Sequence, residues 1–363
     1  MTDDVQELFL PILYYSGSYQ EIGYEQGRAL INTPLIENHT RRLKRSKKRF
    51  AAPVNEVKNL YDHFCPGLFQ ELKGLADGLN WPIDDVIHEY SGFQGTRVKA
   101  GCTAAAAAGV YARNYDYQPQ SYEGRLVITL PENGLAVFGI SQRLIGRTDG
   151  MNEAGLALGY HFVNRVKPAE GIVCSNICRI VLETCHTVAE AAALLQKLPH
   201  RHAFSYSMAD ALGRTAVVEG SPRGVAVFEG TSQVCANRFR APRLQRENRK
   251  VVSDSIRRED LAEQALKNEI SAEHLYKSFN ETKQHKQEQI SAVDYSQWNG
   301  TLHTAVYDTN TLTVKLGFGV NRRPVELPLK DLFRGWQTPI KQIRASWKTS
   351  LALPFHQKLT EPK

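Results

Sequence analysis

No run of about 18 consecutive apolar residues occurs in the chain, so no segment is fit to cross a membrane as a helix. Cysteine is too sparse for a disulfide scaffold, with six in 363 residues at positions 65, 102, 174, 178, 185 and 235. Neither sign of charge dominates. The 45 Lys and Arg against 38 Asp and Glu leave +7, which admits anionic ligands without demanding nucleic acid. With Gly 26 and Pro 16, collagen-like and low-complexity architectures are out. Walker A and dinucleotide-binding glycine patterns are missing, as are zinc-type Cys-x-x-Cys pairs and internal repeats. The start, Met1-Thr-Asp-Asp4, lacks the basic stretch of a secretory signal, and Pro11 interrupts Leu8–Tyr15. A cytoplasmic location with reduced thiols is therefore expected.

What is there is ordinary globular material: 42% apolar and 23% charged residues, enough to bury a large core. The first hundred residues read as mainly helical, with Pro34, Pro53, Pro66 and Pro82 as punctuation. From Thr103 the texture turns to short β-like runs, at Gly109–Asn114, Leu126–Leu130, Leu135–Ile140 and Gly155–Val163. A helix pair follows at Ser175–Cys185 and Val188–Leu198. Strands return at Ala203–Ala209, Thr215–Glu219, Val225–Phe228 and Gln233–Ala236. Helices are expected at Asp260–Lys267 and Ala272–Phe279, then a hairpin from Leu302 to Gly317. This order suits an α+β fold better than a parallel doubly wound sheet.

Most candidate sites have bland readings. The basic run Arg41-Arg-Leu-Lys-Arg-Ser-Lys-Lys-Arg49 reads as the solvated face of a long helix. Cys174, Cys178 and Cys185 read as buried structural thiols, and the histidines at 186, 200 and 202 form no ligand set. Cys102 differs. It follows Gly101 where helical texture gives way to strand texture, and Thr103-Ala-Ala-Ala-Ala-Ala108 after it suits a helix or a small-residue strand in a crowded core equally well.

Gly101-Cys102-Thr103 followed by Arg113-Asn-Tyr-Asp116 resembles the N-terminal-nucleophile cysteine hydrolases. The nearer branch is the penicillin acyltransferase, or isopenicillin-N acyltransferase-like, family, and the choloylglycine hydrolases are related. Gly17-Ser-Tyr-Gln-Glu-Ile-Gly-Tyr-Glu-Gln-Gly27 resembles that family's opening motif, and Glu71-Leu-Lys-Gly-Leu-Ala-Asp-Gly78 and Asp84-Asp-Val-Ile87 resemble its propeptide helices. Asp149-Gly-Met-Asn-Glu-Ala-Gly-Leu156 and Val234-Cys-Ala-Asn-Arg-Phe239 are similar to segments of both branches. Together these matches are specific; singly each is weak.

The resemblance implies a four-layer αββα sandwich of two antiparallel sheets, with Cys102 opening a central strand. It implies a precursor cut at Gly101–Cys102 by its own cysteine, giving a helical segment 1–101 and a catalytic segment 102–363 of one domain. The freed α-amine, with a reference pKa of about 8, would serve as base for the thiol. Asp116 would orient that amine, Arg113 would lie near the thiol and favour thiolate, and Asn237 would donate to an oxyanion. His161 stands where bile-salt hydrolases have an asparagine, so it or a backbone N–H would be the second donor. The family's arginine in the last hairpin has no match, although His303 lies nearby. The substrate implied is a small acyl amide, with acyl-coenzyme A as an alternative acyl donor and with no cofactor, metal, nucleic acid or membrane partner. A homo-oligomer is compatible with all of this, and the rival reading is a binding protein that keeps the fold and never matures.

Overall fold

A computed structural model describes residues 5–93, 95, 101–164, 166–295, 299–351 and 353. The chain opens with strand β1 (Val5–Gly17) and five helices, α1 (Tyr19–Leu30), α2 (Pro34–Ser46), α3 (Val54–Phe64), α4 (Pro66–Leu79) and α5 (Ile83–Tyr90). Next come β2 (Gly101–Ala107), β3 (Val110–Tyr117), β4 (Leu126–Pro131), β5 (Val137–Gln142), β6 (Gly146–Asn152) and β7 (Ala157–Asn164). Helices α6 (Cys174–Thr184) and α7 (Val188–Lys197) precede β8 (Ala203–Ala209), β9 (Thr215–Ser221), β10 (Gly224–Gly230) and β11 (Ser232–Cys235). The remainder is α8 (Ser253–Asn268), α9 (Ala272–Asn280), β12 (Val293–Asp294), β13 (Asn299–Asp308), β14 (Thr313–Gly317), β15 (Val325–Pro328), α10 (Leu329–Leu332) and β16 (Gln342–Lys348).

Two sheets result. The larger runs β10-β9-β8-β7-β6-β5-β4-β1-β16 and the smaller β11-β2-β3-β13-β14-β15, with β12 beside β13. Helices α6 and α7 cover the outer face of the larger sheet, and α8 and α9 that of the smaller, while β2 and β11 meet β7, β8 and β9 between the layers. This is the expected αββα order. The expectation of purely antiparallel sheets needs one correction, because β1 and β4 run parallel. The reason is the placement of β1, a strand with no counterpart in the sequence reading. Residues Val5–Pro11 pair with β16 on one side, and Ile12–Gly17 pair with β4 on the other. Pro11, which has no N–H to give, sits at this handover, where its missing donor is least missed.

Alanine at 104–107 decides how close the layers come. Ala104 and Ala106 belong to the core between the sheets, whereas Ala105 and Ala107 pack under α8 and α9. The helix-or-strand ambiguity of this run is resolved by pairing on both sides, to β3 and to β11. Ser18 and Glu21 of the opening motif form a capping box at the start of α1.

Candidate active site

Cys102 is the second residue of β2, fully buried and turned toward the core between the sheets. Its backbone N–H donates to Asn237 Oδ1 at 2.9 Å. Asn237 follows β11 directly, and the β11–β2 register (Cys235 opposite Ala104) brings it alongside. The other end of the Asn237 amide is engaged too, Nδ2 donating to the Phe162 carbonyl at 2.8 Å.

Arg113 lies opposite Ala104 on β3 and reaches back to the thiol, with Nη2 3.3 Å from Cys102 Sγ. The guanidinium is held through its two terminal nitrogens, while its Nε lacks a hydrogen-bond partner among the described residues. It donates to the Tyr160 carbonyl at 2.6 Å and to the Thr148 carbonyl, stands 3.6 Å from Asp149 Oδ1, and has the rings of Tyr115 and Tyr160 within cation–π range. A Cβ at residue 159 would come within 2.1 Å of Nη1, so Gly159 leaves the room this side chain occupies. The thiol itself shifts opposite to the simple expectation. Burial raises its pKa, and Arg113 offsets only part of that rise.

Asp116 sits opposite Gly101 across the β2–β3 ladder and accepts from Thr301 Oγ1 at 2.7 Å. Burial pushes its carboxyl up to about 6, against the pull of Arg258. His161 is held neutral by burial and meets Ser207 Oγ at 2.7 Å through Nε2. Its Nδ1 lacks a hydrogen-bond partner among the described residues, although the Cys102 backbone is near enough to favour a proton on the ring. His303 does not join the thiol. It bridges Asp149 Oδ1 at 3.0 Å and the Tyr122 hydroxyl at 2.8 Å.

Two further positions join the site, Arg258, which no motif marks, and Asp149, whose motif carries no assigned role in the sequence. Arg258, on α8, donates to the Cys102 carbonyl at 2.8 Å, to Thr103 Oγ1 at 2.5 Å and to Asn237 Oδ1 at 2.8 Å, and Asp254 holds its Nε at 2.8 Å. The i, i+4 pair Asp254/Arg258 is the signal for it in the sequence, and it lies in the first turns of α8, ahead of the expected helix Asp260–Lys267. Asp149 anchors the other side, accepting from Tyr307 at 2.8 Å and Thr148 at 2.6 Å, and against the upward push of burial His303, with Arg113 after it, keeps its carboxyl well below the usual range. Its motif partner Asn152 ties β6 to the end of α6 through the Leu182 and Cys185 carbonyls. Cys174, Cys178 and Cys185 are buried and unpaired as thiols, and no metal-binding cluster is found among the described residues.

Chemically the arrangement offers a buried thiol beside a cation, a Gly101–Cys102 peptide bond whose N–H donates to Asn237, and an upward-shifted carboxyl opposite Gly101. Residues 103–323, well over half of the chain, match the family model for acyl-coenzyme A:6-aminopenicillanic acid acyl-transferase. No curated protein matches the chain at a significant level. Similar solved structures include a conjugated bile acid hydrolase mutant from Clostridium perfringens (15% identity, TM-score 0.44, 64% of this chain and 93% of that one). A penicillin V acylase from Agrobacterium tumefaciens gives 14% identity and a TM-score of 0.39 over 64% of this chain and 87% of that one. The Caenorhabditis elegans ortholog of N-acylethanolamine-hydrolyzing acid amidase gives 16% and 0.38 over 58% and 93%. At this distance the family assignment rests on the sequence match.

Proposed function

The chain belongs to the acyl-coenzyme A:6-aminopenicillanic acid acyl-transferase family, and on that premise we propose that it cuts itself before Cys102 and then cleaves linear amides through an acyl-Cys102 intermediate. The observation that carries this reading is the buried Cys102 thiol at 3.3 Å from the Arg113 guanidinium, with its own N–H held by Asn237. In the first reaction Sγ attacks the Gly101 carbonyl carbon. The C–N bond breaks, nitrogen takes a proton, and water resolves the thioester to a Gly101 carboxylate and a free thiol. Adjacency in the chain makes this intramolecular attack favourable without a protease.

The new α-amine at Cys102 then accepts the thiol proton, and the thiolate attacks a substrate amide. Asp116 orients the amine. Release of the Asn237 Nδ2 group from Phe162 would give an oxyanion donor, a contribution typically worth about 10²–10³ in rate. His161 is the further candidate donor. Water resolves acyl-Cys102 in the hydrolytic cycle, and an amine resolves it in acyl transfer. The family's name describes transfer from acyl-coenzyme A, and both reactions share the acyl-Cys102 half.

Denaturing mass spectrometry tests the reading. Wild-type protein is expected as residues 1–101 and 102–363, roughly 11 and 29 kDa of the 40.8 kDa chain. Cys102→Ala is expected as one chain, and Cys102→Ser as a slowly or incompletely cut one, because a hydroxyl is the weaker nucleophile at neutral pH. An intact wild-type chain with no amidase activity would favour a binding protein instead.

A further inference from the structure

Strand β7 holds the neighbours of the thiol through its backbone. The Tyr160 carbonyl accepts from Arg113, and the Phe162 carbonyl accepts from Asn237. His161 lies between them in the chain. Its side chain projects into the space between the sheets, because Ser207 on β8, which it touches, is reached by Tyr111 from the other sheet. Ser207 Oγ stands 2.7 Å from His161 Nε2 and 2.9 Å from the Tyr111 hydroxyl, and all three residues are buried. Among the described residues these two contacts are the only hydrogen bonds of the three side chains.

The Ser207 and Tyr111 hydroxyls have one hydrogen each, so the chain runs in one of two senses. Burial and Arg113 keep the His161 ring neutral, with a single hydrogen of its own. In the first sense Tyr111 donates to Ser207, Ser207 donates to Nε2, and the ring hydrogen is on Nδ1. In the second the Nε2–H donates to Ser207, Ser207 donates to Tyr111, and the Tyr111 O–H is left without an acceptor.

Both ends of the chain select the first sense. An added Cβ at Gly159 would meet Arg113 Nη1 at 2.1 Å and the Tyr111 hydroxyl at 2.7 Å, so cation and hydroxyl converge there. The cation favours the oxygen lone pairs on its own side and the O–H turned away, toward Ser207. At the other end the Cys102 backbone is near enough to favour a hydrogen on the ring. Ser205, opposite His161 across the β7–β8 ladder, offers Nδ1 no bond.

We propose, on the amidase reading given above, that Ser207, oriented by Tyr111, is a positioning residue of the reaction: it fixes the His161 ring with its hydrogen on Nδ1, where that N–H meets the oxyanion developing beside Cys102. The opposite tautomer would present a lone pair to the same oxygen and repel it.

Nitrogen NMR of the full chain, labelled in its histidine rings, reads the tautomer, with the His161 signals identified by their loss in His161→Gln. The hydrogen is expected on Nδ1 in the wild-type chain. Ser207→Ala, which leaves Nε2 without its donor, is expected to show a share of Nε2–H, and Tyr111→Phe a smaller share. Self-cleavage of the Ser207→Ala chain made by cell-free synthesis, read as the fraction cut against time, is expected to slow about tenfold. A tautomer unchanged in both variants, or a changed tautomer with unchanged cutting, overturns the proposal. Hydrogen on Nε2 in a wild-type chain that cuts overturns the proposal alone. Hydrogen on Nδ1 in a wild-type chain that never cuts overturns the amidase reading on which the proposal rests.

Discussion

Arg258 donates to three acceptors around Cys102 at once, sharing one of them, Asn237 Oδ1, with the Cys102 N–H. Its ion-pair partner Asp254 is exposed and stays solvated, but the Cys102 carbonyl and the Thr103 hydroxyl belong to fully buried residues, and a buried polar group left without its partner costs about 1–3 kcal/mol. Arg258→Met is therefore expected to lower the unfolding free energy, read by urea denaturation, by that order and to slow self-cleavage, read as the fraction of cut chain against time. Arg258→Lys, which keeps charge and loses the fork, should fall between. Asp116 gives a pH signature instead. Its folded pKa of about 6 lies above the ordinary 3.8, so its protonated form stabilises the folded chain fully below pH 3.8. That contribution is lost as pH rises through 6. In the uncut Cys102→Ala background, adding Asp116→Asn should change stability little at pH 3.5. At pH 7 it should raise it by up to about 3 kcal/mol. The same substitution in the cutting chain is expected to depress turnover strongly, because amine orientation needs the charge. Equal melting curves at both pH values would remove the burial argument.

Helices α1 and α4 show what the sequence carried and what it concealed. The glycines at 23, 27, 74 and 78 in the two motif segments mark a backbone-to-backbone crossing, where an added Cβ at Gly74 would meet the Gln20 carbonyl oxygen at 1.9 Å and one at Gly23 the Glu71 oxygen at 2.0 Å. Buried Glu71 then links Gln26 on α1 to Arg179 on α6, at 2.6 and 2.8 Å. Gly74→Ala is expected to cost about 1–3 kcal/mol or more through displaced backbone, checked by chemical denaturation of the Cys102→Ala chain. Alternating strands β8 and β7 and helices α5 and α6 were legible because local pattern and environment agree. Strand β1 was hidden by Pro11 and by its two different partners, and β6 because Asp149-Gly-Met-Asn152 looks like a turn while lying inside a sheet. Cys102, Arg113, Asp116 and Asn237 could be nominated from motif spacing. Arg258 could not, since only the packing of α8 on β2 brings residues 156 positions apart together.

At the scale of the whole molecule, the placement of β1 changes what a cut before Cys102 would mean. The N-terminal piece would own one interior strand of the larger sheet, bonded to β4 on one flank and β16 on the other, and would also own the helix that shares the Glu71–Arg179 contact. It could not drift away as a spent leader. The mature protein would be two chains knitted through a common sheet, and its unfolding would become a dissociation. Its thermal midpoint should then climb with protein concentration, as for any obligate heterodimer, while that of uncut Cys102→Ala stays fixed. Scanning calorimetry over a hundredfold range of concentration separates the two. Self-cleavage would thus turn a stability that belongs to one chain into one that depends on how much protein is present.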